Sequence, residues 1–447
     1  MSINGIIGTD RQASAAQQRI DAISETLSSE NILADLTTGL PFVMIEGVRR
    51  TLLAEREDLR RHLSAIDDAK NGNPESLVEL SAGDIGEKLI AARVIRGLTQ
   101  KDLARKLGKK PQEIQRWESE GYSKITLSNF KKISVLLGVK ISSDIIWPDP
   151  NPMEFLPPTD PKILKKIIKH ARDHGWFKPE PNLNSESERE HVYFQLSQLI
   201  MEDNGRARTP SLLRTGLRVT EASDDLTLLA WKAHVTRQAE AMIKAGVPDF
   251  DILNLAWLQT IPTLSVEEDG PLLAQELLLQ HGIILIVEPQ IAGMTVDGAA
   301  FLVGKNPVIA LSLRRDAIDN FWFTLLHEIG HVHLHFKTGL DIGFFDEGGD
   351  EVELKSNDRV RKMEREADEF AQELLIPSEV WRGSSARISK REEPILRLAH
   401  RLKIHPAIIF GRIRMERKNY ALFAKKIGNG MVRKHFFESK KIRSKVV

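Results

Sequence analysis

The sequence predicts a multidomain chain that is mainly α with an α+β part. An all-α module comes first, and a domain built around a small β-sheet follows. Three observations carry this. Six prolines crowd Trp147 to Pro161, at 148, 150, 152, 157, 158 and 161, a stiff extended run that helices cannot cross. Before it, Gly108 and Pro111 punctuate two short amphipathic helices. Far beyond it, short apolar runs between 283 and 313 stand directly ahead of a long apolar helix at Phe321 to Phe336.

At 447 residues there is room for about three domains, and 41% apolar residues suffice for real cores. The chain has no cysteine, which excludes disulfides and thiolate metal sites; a metal here must use His, Asp or Glu. No apolar run approaches eighteen residues, and the N-terminus lacks a basic-then-apolar leader pattern, so a cytoplasmic location and no membrane are expected. The net charge of +1 hides segregation. Asp84 to Lys140 carries 13 bases against 6 acids, Asp341 to Glu379 has 13 acids against 5 bases, and Arg401 to Val447 has 14 bases against 2 acids. A basic module and a separate acidic one fit a nucleic-acid surface and a cation site.

Residues 1–80 read as a helical hairpin, with Ile20, Ile23 and Leu27 on one helix and Val48, Leu52, Leu59 and Leu63 on the next, stopped at Asn71-Gly72-Asn73-Pro74. Residues 81–146 form an all-helical module. Thr99, with Asp102 three residues on, caps one helix; Gly108 ends it; Pro111 opens another over Gln112 to Glu118. Helix, short turn, helix is the arrangement that lays its second helix in a DNA major groove. The stretch resembles bacterial helix-turn-helix domains of the lambda-repressor type. It does so at Arg96 to Gln100, Leu103-Ala104, Leu107-Gly108, Ile114, Arg116-Trp117-Glu118 and Leu136 to Val139. The resemblance implies that Gln100 touches the sugar–phosphate backbone and that Gln112, Glu113 and Gln115 face base edges, with Arg116 beside them as a further DNA contact. It implies operator DNA as partner and a homodimer. The chain departs at Pro111, where the family often carries Gln or Ser at a base-contacting position.

The proline-rich linker covers 147–161, and 162–265 reads as a mostly helical lead-in: Lys162 to His174, Arg189 to Met201, Leu226 to Gly246 and Phe250 to Gln259. His170, His174, His191 and His234 lie scattered there as surface or packing histidines. The next domain is expected over 266–425. Pro271 to Gln280 is a helix stopped by Gly282. Ile283 to Val287, Ala299 to Val303 and Val308 to Leu313 are strands, the last two joined by a turn at Gly304 to Pro307.

The helix at Phe321 to Phe336 holds His327-Glu328-Ile329-Gly330-His331, an H-E-x-x-H motif. Four residues along a helix bring two side chains to within about 40° of each other, one turn apart. Two imidazole nitrogens so placed can bind one Zn²⁺ at ~2.0–2.1 Å, and Glu328 can act on water as a general base. Zinc needs a third protein ligand. Leu334 and Lys337 stand where the metzincin pattern demands Gly and His, so that class is excluded. A carboxylate on Met363 to Pro377 remains. Met363, Ala367, Phe370, Ala371 and Leu374 define its buried stripe, which Glu364 and Asp368 border on one side. Glu364 is the expected ligand, and Asp368 is placed to accept the outer N–H of a ligand histidine. Glu366, roughly 100° from the stripe on its other side, is the reserve. His333 and His335 follow the motif, and His335 is expected to pack or to bond a backbone carbonyl.

With both elements in place the chain resembles the ImmA/IrrE family of bacterial metallopeptidases. The carrying residues are Asp297 to Ala300, Pro307 to Leu311, Asp319 to Leu325, His327 to His331, Glu364 to Ala371 and Leu375-Ile376-Pro377. The resemblance implies a zincin-like, gluzincin-type metallopeptidase domain, zinc on His327, His331 and a downstream Glu, and a catalytic Glu328. It implies a protein substrate, a repressor or antitoxin-like partner that is cleaved or disabled. The expected function is a DNA-binding transcriptional regulator carrying a zinc endopeptidase. The alternative is an antitoxin-like or repressor-type regulator whose zincin domain is a non-proteolytic sensor or docking platform. Leu402 to Met415 is expected to close the domain, with His405 starting a helix at Pro406, and 426–447 is a basic tail.

Overall fold

A computed structural model describes residues 6–81, 85–140, 161–177, 191–200, 222–337, 339–340, 344–347 and 358–437. The proline-rich linker up to 160 and the basic tail from 438 lie outside the described residues. The chain divides into two compact units: Met1–Glu30 with Leu52–Asp149, and Asn31–Thr51 with Pro150–Val447. The stretch 1–80, read from sequence as one hairpin, is thus shared between them.

The first unit is all helix. It contains α1 (Asp10–Ser28), and the later part of α3 (Phe42–Lys70), which follows the short α2 (Glu30–Leu36). Then come α4 (Glu75–Leu80), α5 (Ile85–Ile95), α6 (Gln100–Leu107), α7 (Pro111–Ser119) and α8 (Leu127–Leu137). Local chemistry sets the ends. Thr99 accepts from Asp102 N (3.1 Å) while Asp102 accepts from Thr99 N (3.1 Å), a reciprocal cap worth ~1 kcal/mol. Gly108 closes α6 at φ +65°, a left-handed conformation that costs other residues energy. Pro111 is the first residue of α7, where its missing N–H costs nothing. Leu89, Leu103, Ile114, Ile133 and Leu137 make one core with Ile7, Ile20 and Leu59. Arg93, 2% exposed, is held by Glu118 (2.5 and 2.7 Å), Leu98 O and Gly8 O, so the buried charge is fully paired.

The second unit is layered. Helices α9 (Pro161–Asp173), α10 (residues 191–200) and α11 (Ala222–Gly246) cover one face of a four-stranded sheet. Next along the chain are α12 (Gly270–Gln280), β1 (Ile284–Val287), β2 (Val296–Val303), β3 (Asn306–Leu311), α13 (Ile318–His335), β4 (Phe344–Glu347) and α14 (Asp358–Leu375). The short α15 (Ser378–Arg382), then α16 (Glu392–Leu402) and α17 (Pro406–Glu416), complete it; His405 Nδ1 caps α17 by accepting from Ala407 N. Strand order is β1-β3-β2-β4, with β1 parallel to β3 and the other pairs antiparallel. β2 and β3 join through Gly304-Lys305, with Gly304 at φ +62°. Alternate residues Ile284, Ile286, Ala299, Phe301, Val308 and Ala310 face α9–α11. The opposite face receives α13, which packs on β2 and β3.

Two expectations are corrected. β4 was not foreseen: it pairs along β2 in register Ala299↔Phe345, past a bulge at Val296/Gly298. The helix expected over Phe250 to Gln259 is instead a 3₁₀ helix at Ala256–Val266. Pro262 inside it lacks an N–H donor, and tight i→i+3 turns suit that gap better than an α-helical ladder.

At the end of β1, Glu288 is buried among four side chains. Trp176 Nε1 and Gln238 Nε2 donate to it (2.8 and 3.0 Å), and His170 and His234 face it at 3.7 and 3.5 Å. Burial alone would raise its pKa; the two facing imidazoles and the indole N–H outweigh that and hold it well below the carboxylate range. Burial pushes His234 down.

Candidate metal centre and nucleic-acid interface

Every residue of α13 from Thr324 to His335 is buried, because the helix runs between the sheet and α14. Gly330 sits between the two motif histidines and permits the close approach of α14. A Cβ there would lie 3.2 Å from Ala367 Cα and 3.1 Å from Phe370 Cδ1. Ala367, Phe370 and Ala371 are fully buried on the facing side. The small residues at this crossing carry Glu364 to the histidines.

His327 Nε2 and His331 Nε2 are 3.0 Å apart, and Glu364 Oε2 is 3.3 Å from the first and 3.5 Å from the second. Ligand atoms on a tetrahedral zinc with ~2.0–2.1 Å bonds stand ~3.3–3.4 Å apart, so this donor set fits one zinc ion. Among the described residues it is the one cluster of three His, Asp or Glu groups close enough to share a metal. Burial alone would lower the pKa of His327, but the carboxylates of Asp368 and Glu364 raise it well above the usual value. The same field that raises proton affinity raises affinity for a divalent cation. At Glu364 burial would raise the pKa, and His331 and His327 reverse that and hold it far below the carboxylate range, so this carboxylate is ionised. His331 is pushed down to about 4, chiefly by burial, which keeps it neutral as a ligand must be.

Asp368 Oδ1 stands 2.9 Å from His327 Nδ1, the outer nitrogen of that ring. Glu328 is fully buried, its carboxylate against Gly298 of β2, where a Cβ would overlap it and Thr324. His333 is fully buried beside Phe250 and Trp257.

His335 is fully buried and packs on the ring of His331: its Nδ1 lies 3.1 Å from His331 Nδ1 and its Nε2 2.9 Å from Glu366 Oε2. Glu366, the reserve ligand, is turned to His335 and to Arg50 on α3 (3.2 and 2.7 Å). The i, i+4, i+8 stripe of His327, His331 and His335 was a sequence signal for this line of rings; Arg50 gave none. A cleft of about 300 Å³ opens beside Asp368 and Thr324, walled by Asp297, Phe323, Gln372 and Tyr420.

On α7, Gln112, Gln115 and Arg116 are exposed along one surface while Ile114 and Trp117 point into the core. Glu113 is half-buried and occupied: it accepts from Lys110 N (3.0 Å) and faces Lys109 Nζ (3.6 Å), which closes the helix end. Gln100 donates to Glu118 (2.8 Å).

Comparison with protein families matches residues 89–143 to a helix-turn-helix model. Residues 280–413 match the M78 peptidase model, described as an IrrE N-terminal-like domain. The two lie in the expected order. No curated protein matches the chain. No described helix is long and apolar enough to cross a membrane. The chain therefore carries a helix-turn-helix domain of DNA-binding type, followed by a metallopeptidase-like domain.

Proposed function

We propose that the protein is a DNA-binding transcriptional regulator whose second unit is a zinc-dependent endopeptidase acting on a repressor or antitoxin-like protein. The observation that carries this reading is the convergence of His327, His331 and Glu364 at zinc-ligand spacing next to a buried Glu328. A transcription factor that only senses or docks needs no carboxylate beside such a cluster. Zinc held there would polarise a peptide carbonyl and make water acidic near neutral pH. Glu328 takes the proton from the attacking water and returns it to the leaving amine. Asp368 orients His327 by accepting its outer N–H. The cleft beside Asp368 and Thr324 offers room for a substrate side chain. In this reading the helix-turn-helix unit works on operator DNA as a homodimer in the cytoplasm, with Gln112, Gln115 and Arg116 toward the duplex.

The test pairs Glu328→Gln with His327→Ala and His331→Ala in the full chain. Glu328→Gln should keep about one equivalent of zinc and lose cleavage of purified partner repressors, because an amide takes no proton. Both histidine variants should lose zinc. Cleavage by the Gln variant at the wild-type rate, or full zinc in both histidine variants, overturns the reading.

A further inference from the structure

We infer that Arg50, Glu366 and His335 form a positioning relay that fixes the tautomer of His331 and thereby sets how tightly the centre holds zinc. The inference rests on the reading of His327, His331 and Glu364 as zinc ligands.

Arg50 Nη1 and Nη2 donate to the two oxygens of Glu366 at 3.2 and 2.7 Å, a fork-to-fork pair. A guanidinium is always charged, so Glu366 stays ionised and can only accept. The proton in the 2.9 Å contact between Glu366 Oε2 and His335 Nε2 therefore belongs to the imidazole. His335 is wholly buried, which favours a neutral ring. A neutral ring with its proton on Nε2 has a bare Nδ1, and that atom must accept in the 3.1 Å contact with His331 Nδ1. His331 consequently carries its proton on Nδ1, and its Nε2 presents a lone pair toward His327 Nε2 and Glu364. The opposite tautomer would put an N–H where a metal ligand needs a lone pair.

The two histidines are thus oriented by different means. Asp368 acts on His327 directly, whereas Glu366 acts on His331 through a second ring. Glu364, Glu366 and Asp368 divide the labour along one stretch of α14.

Arg50 itself is held in place by the fold. It lies 316 residues from Glu366 in sequence. Its helix docks on the end of α13: Thr51 Oγ1 donates to Leu334 O at 3.3 Å, and Gly47 lies so close that a Cβ would overlap Leu334. Asn31–Thr51 belongs to the metal-bearing unit for this reason.

The experiment is a zinc competition against a chromophoric chelator, using the full chain and its Arg50→Met, Arg50→Lys, His335→Leu and His335→Gln variants. Each zinc-free protein is first checked for a cooperative thermal melt. Arg50→Met and His335→Leu should weaken zinc by ~10–100-fold, the usual loss when a ligand histidine loses its outer partner. Arg50→Lys keeps the charge without the fork and should fall between. His335→Gln should recover most of the affinity: its amide oxygen can accept from His331 Nδ1–H while its NH₂ donates to Glu366. A role in packing alone gives the opposite order, since Leu suits a fully buried position better than Gln. Wild-type affinity in both Arg50→Met and His335→Leu, or Gln no better than Leu, overturns the relay. Should His335→Leu not fold, Arg50→Met decides, because that side chain is about one-third exposed. A wild-type chain that binds no zinc, or a His331→Ala chain that still binds it, overturns the metal centre instead.

Discussion

Gly330→Ala adds one methyl group at the point where α13 and α14 meet. The new Cβ would stand 3.1 Å from Phe370 Cδ1, 3.2 Å from Ala367 Cα and 3.4 Å from Ala367 Cβ. Ordinary carbon contacts are ~3.5–4.0 Å, so α14 must retreat by ~0.3–0.8 Å. Phe370 is fully buried and cannot swing aside, and the Ala367 contact is to backbone. Alanine gains ~1 kcal/mol of helix propensity over glycine, while overpacking a core costs ~1–3 kcal/mol. The zinc-free protein should thus lose about 0–2 kcal/mol, a shift of a few degrees in Tm. The larger effect falls on the metal. Glu364 sits one turn before Ala367, and zinc–ligand distances tolerate only about ±0.2 Å. Zinc affinity should drop on the order of tenfold or more. Differential scanning calorimetry of the chelated protein and chelator competition measure the two effects separately. A variant with wild-type zinc affinity would show that the α13–α14 spacing does not set the Glu364 position.

Three further outcomes are expected. Gly298→Ala pushes on Glu328 rather than on a ligand, so it should keep its zinc and lose most of its peptidase activity; loss of zinc in this variant would refute the division of roles. Acid should destabilise the second unit in two stages. His234, its pKa lowered by burial, gives stability above the unfolded value of ~6.5 that is lost as pH falls below it. Glu288, also lowered, gives stability above ~4.3 that is lost as pH falls toward its folded value. Glu288→Gln should therefore cost ~1–3 kcal/mol at neutral pH and flatten the limb below ~4.3 in denaturant titrations; an unchanged acid limb refutes the assignment. For duplex binding in gel shifts, Gln115→Ala should relax preference at one base position by ~1–3 kcal/mol, while Arg116→Ala should weaken all sequences and reduce the salt slope by ~1. Salt-independent binding would argue against phosphate contacts altogether.

The metal helix was legible because its chemistry and its burial share one periodicity: His327 and His331 recur at the same spacing as Leu325, Ile329 and Val332. The choice of Glu364 over Glu366 followed from angles around α14, since the small face at Ala367 and Ala371 fixes which way that helix turns. Those angles did not foretell that Glu366, on the far side of the stripe, would have a second histidine to meet. His335 one turn beyond the motif supplies it, and its partner could be found only once two helices were set side by side. β4 escaped for another reason. Phe344-Phe345-Asp346-Glu347 is brief and half acidic, and its strand conformation comes from pairing with β2 rather than from its own pattern.

The hardest feature to read was the place of α3. Its buried stripe runs through Met44, Val48, Leu52 and Leu59, with Glu55 as its one buried charge, paired with Arg19. Periodicity states that a face is covered; it does not state by what. The structure assigns the first part of that stripe to the peptidase-like unit and the last part to the helix-turn-helix unit, with the division at Leu52. Arg50 sits just before the division, one arginine among many in a polar helix, and nothing in its local sequence separates it from Arg49 or Arg56. Its partner on α14 does. A boundary drawn at the proline-rich stretch would leave Gly47, Arg50 and Thr51 behind, and with them the contacts to Leu334 and Glu366. The peptidase-like unit is therefore discontinuous in sequence, and the segment that completes it stands before the helix-turn-helix, not after it.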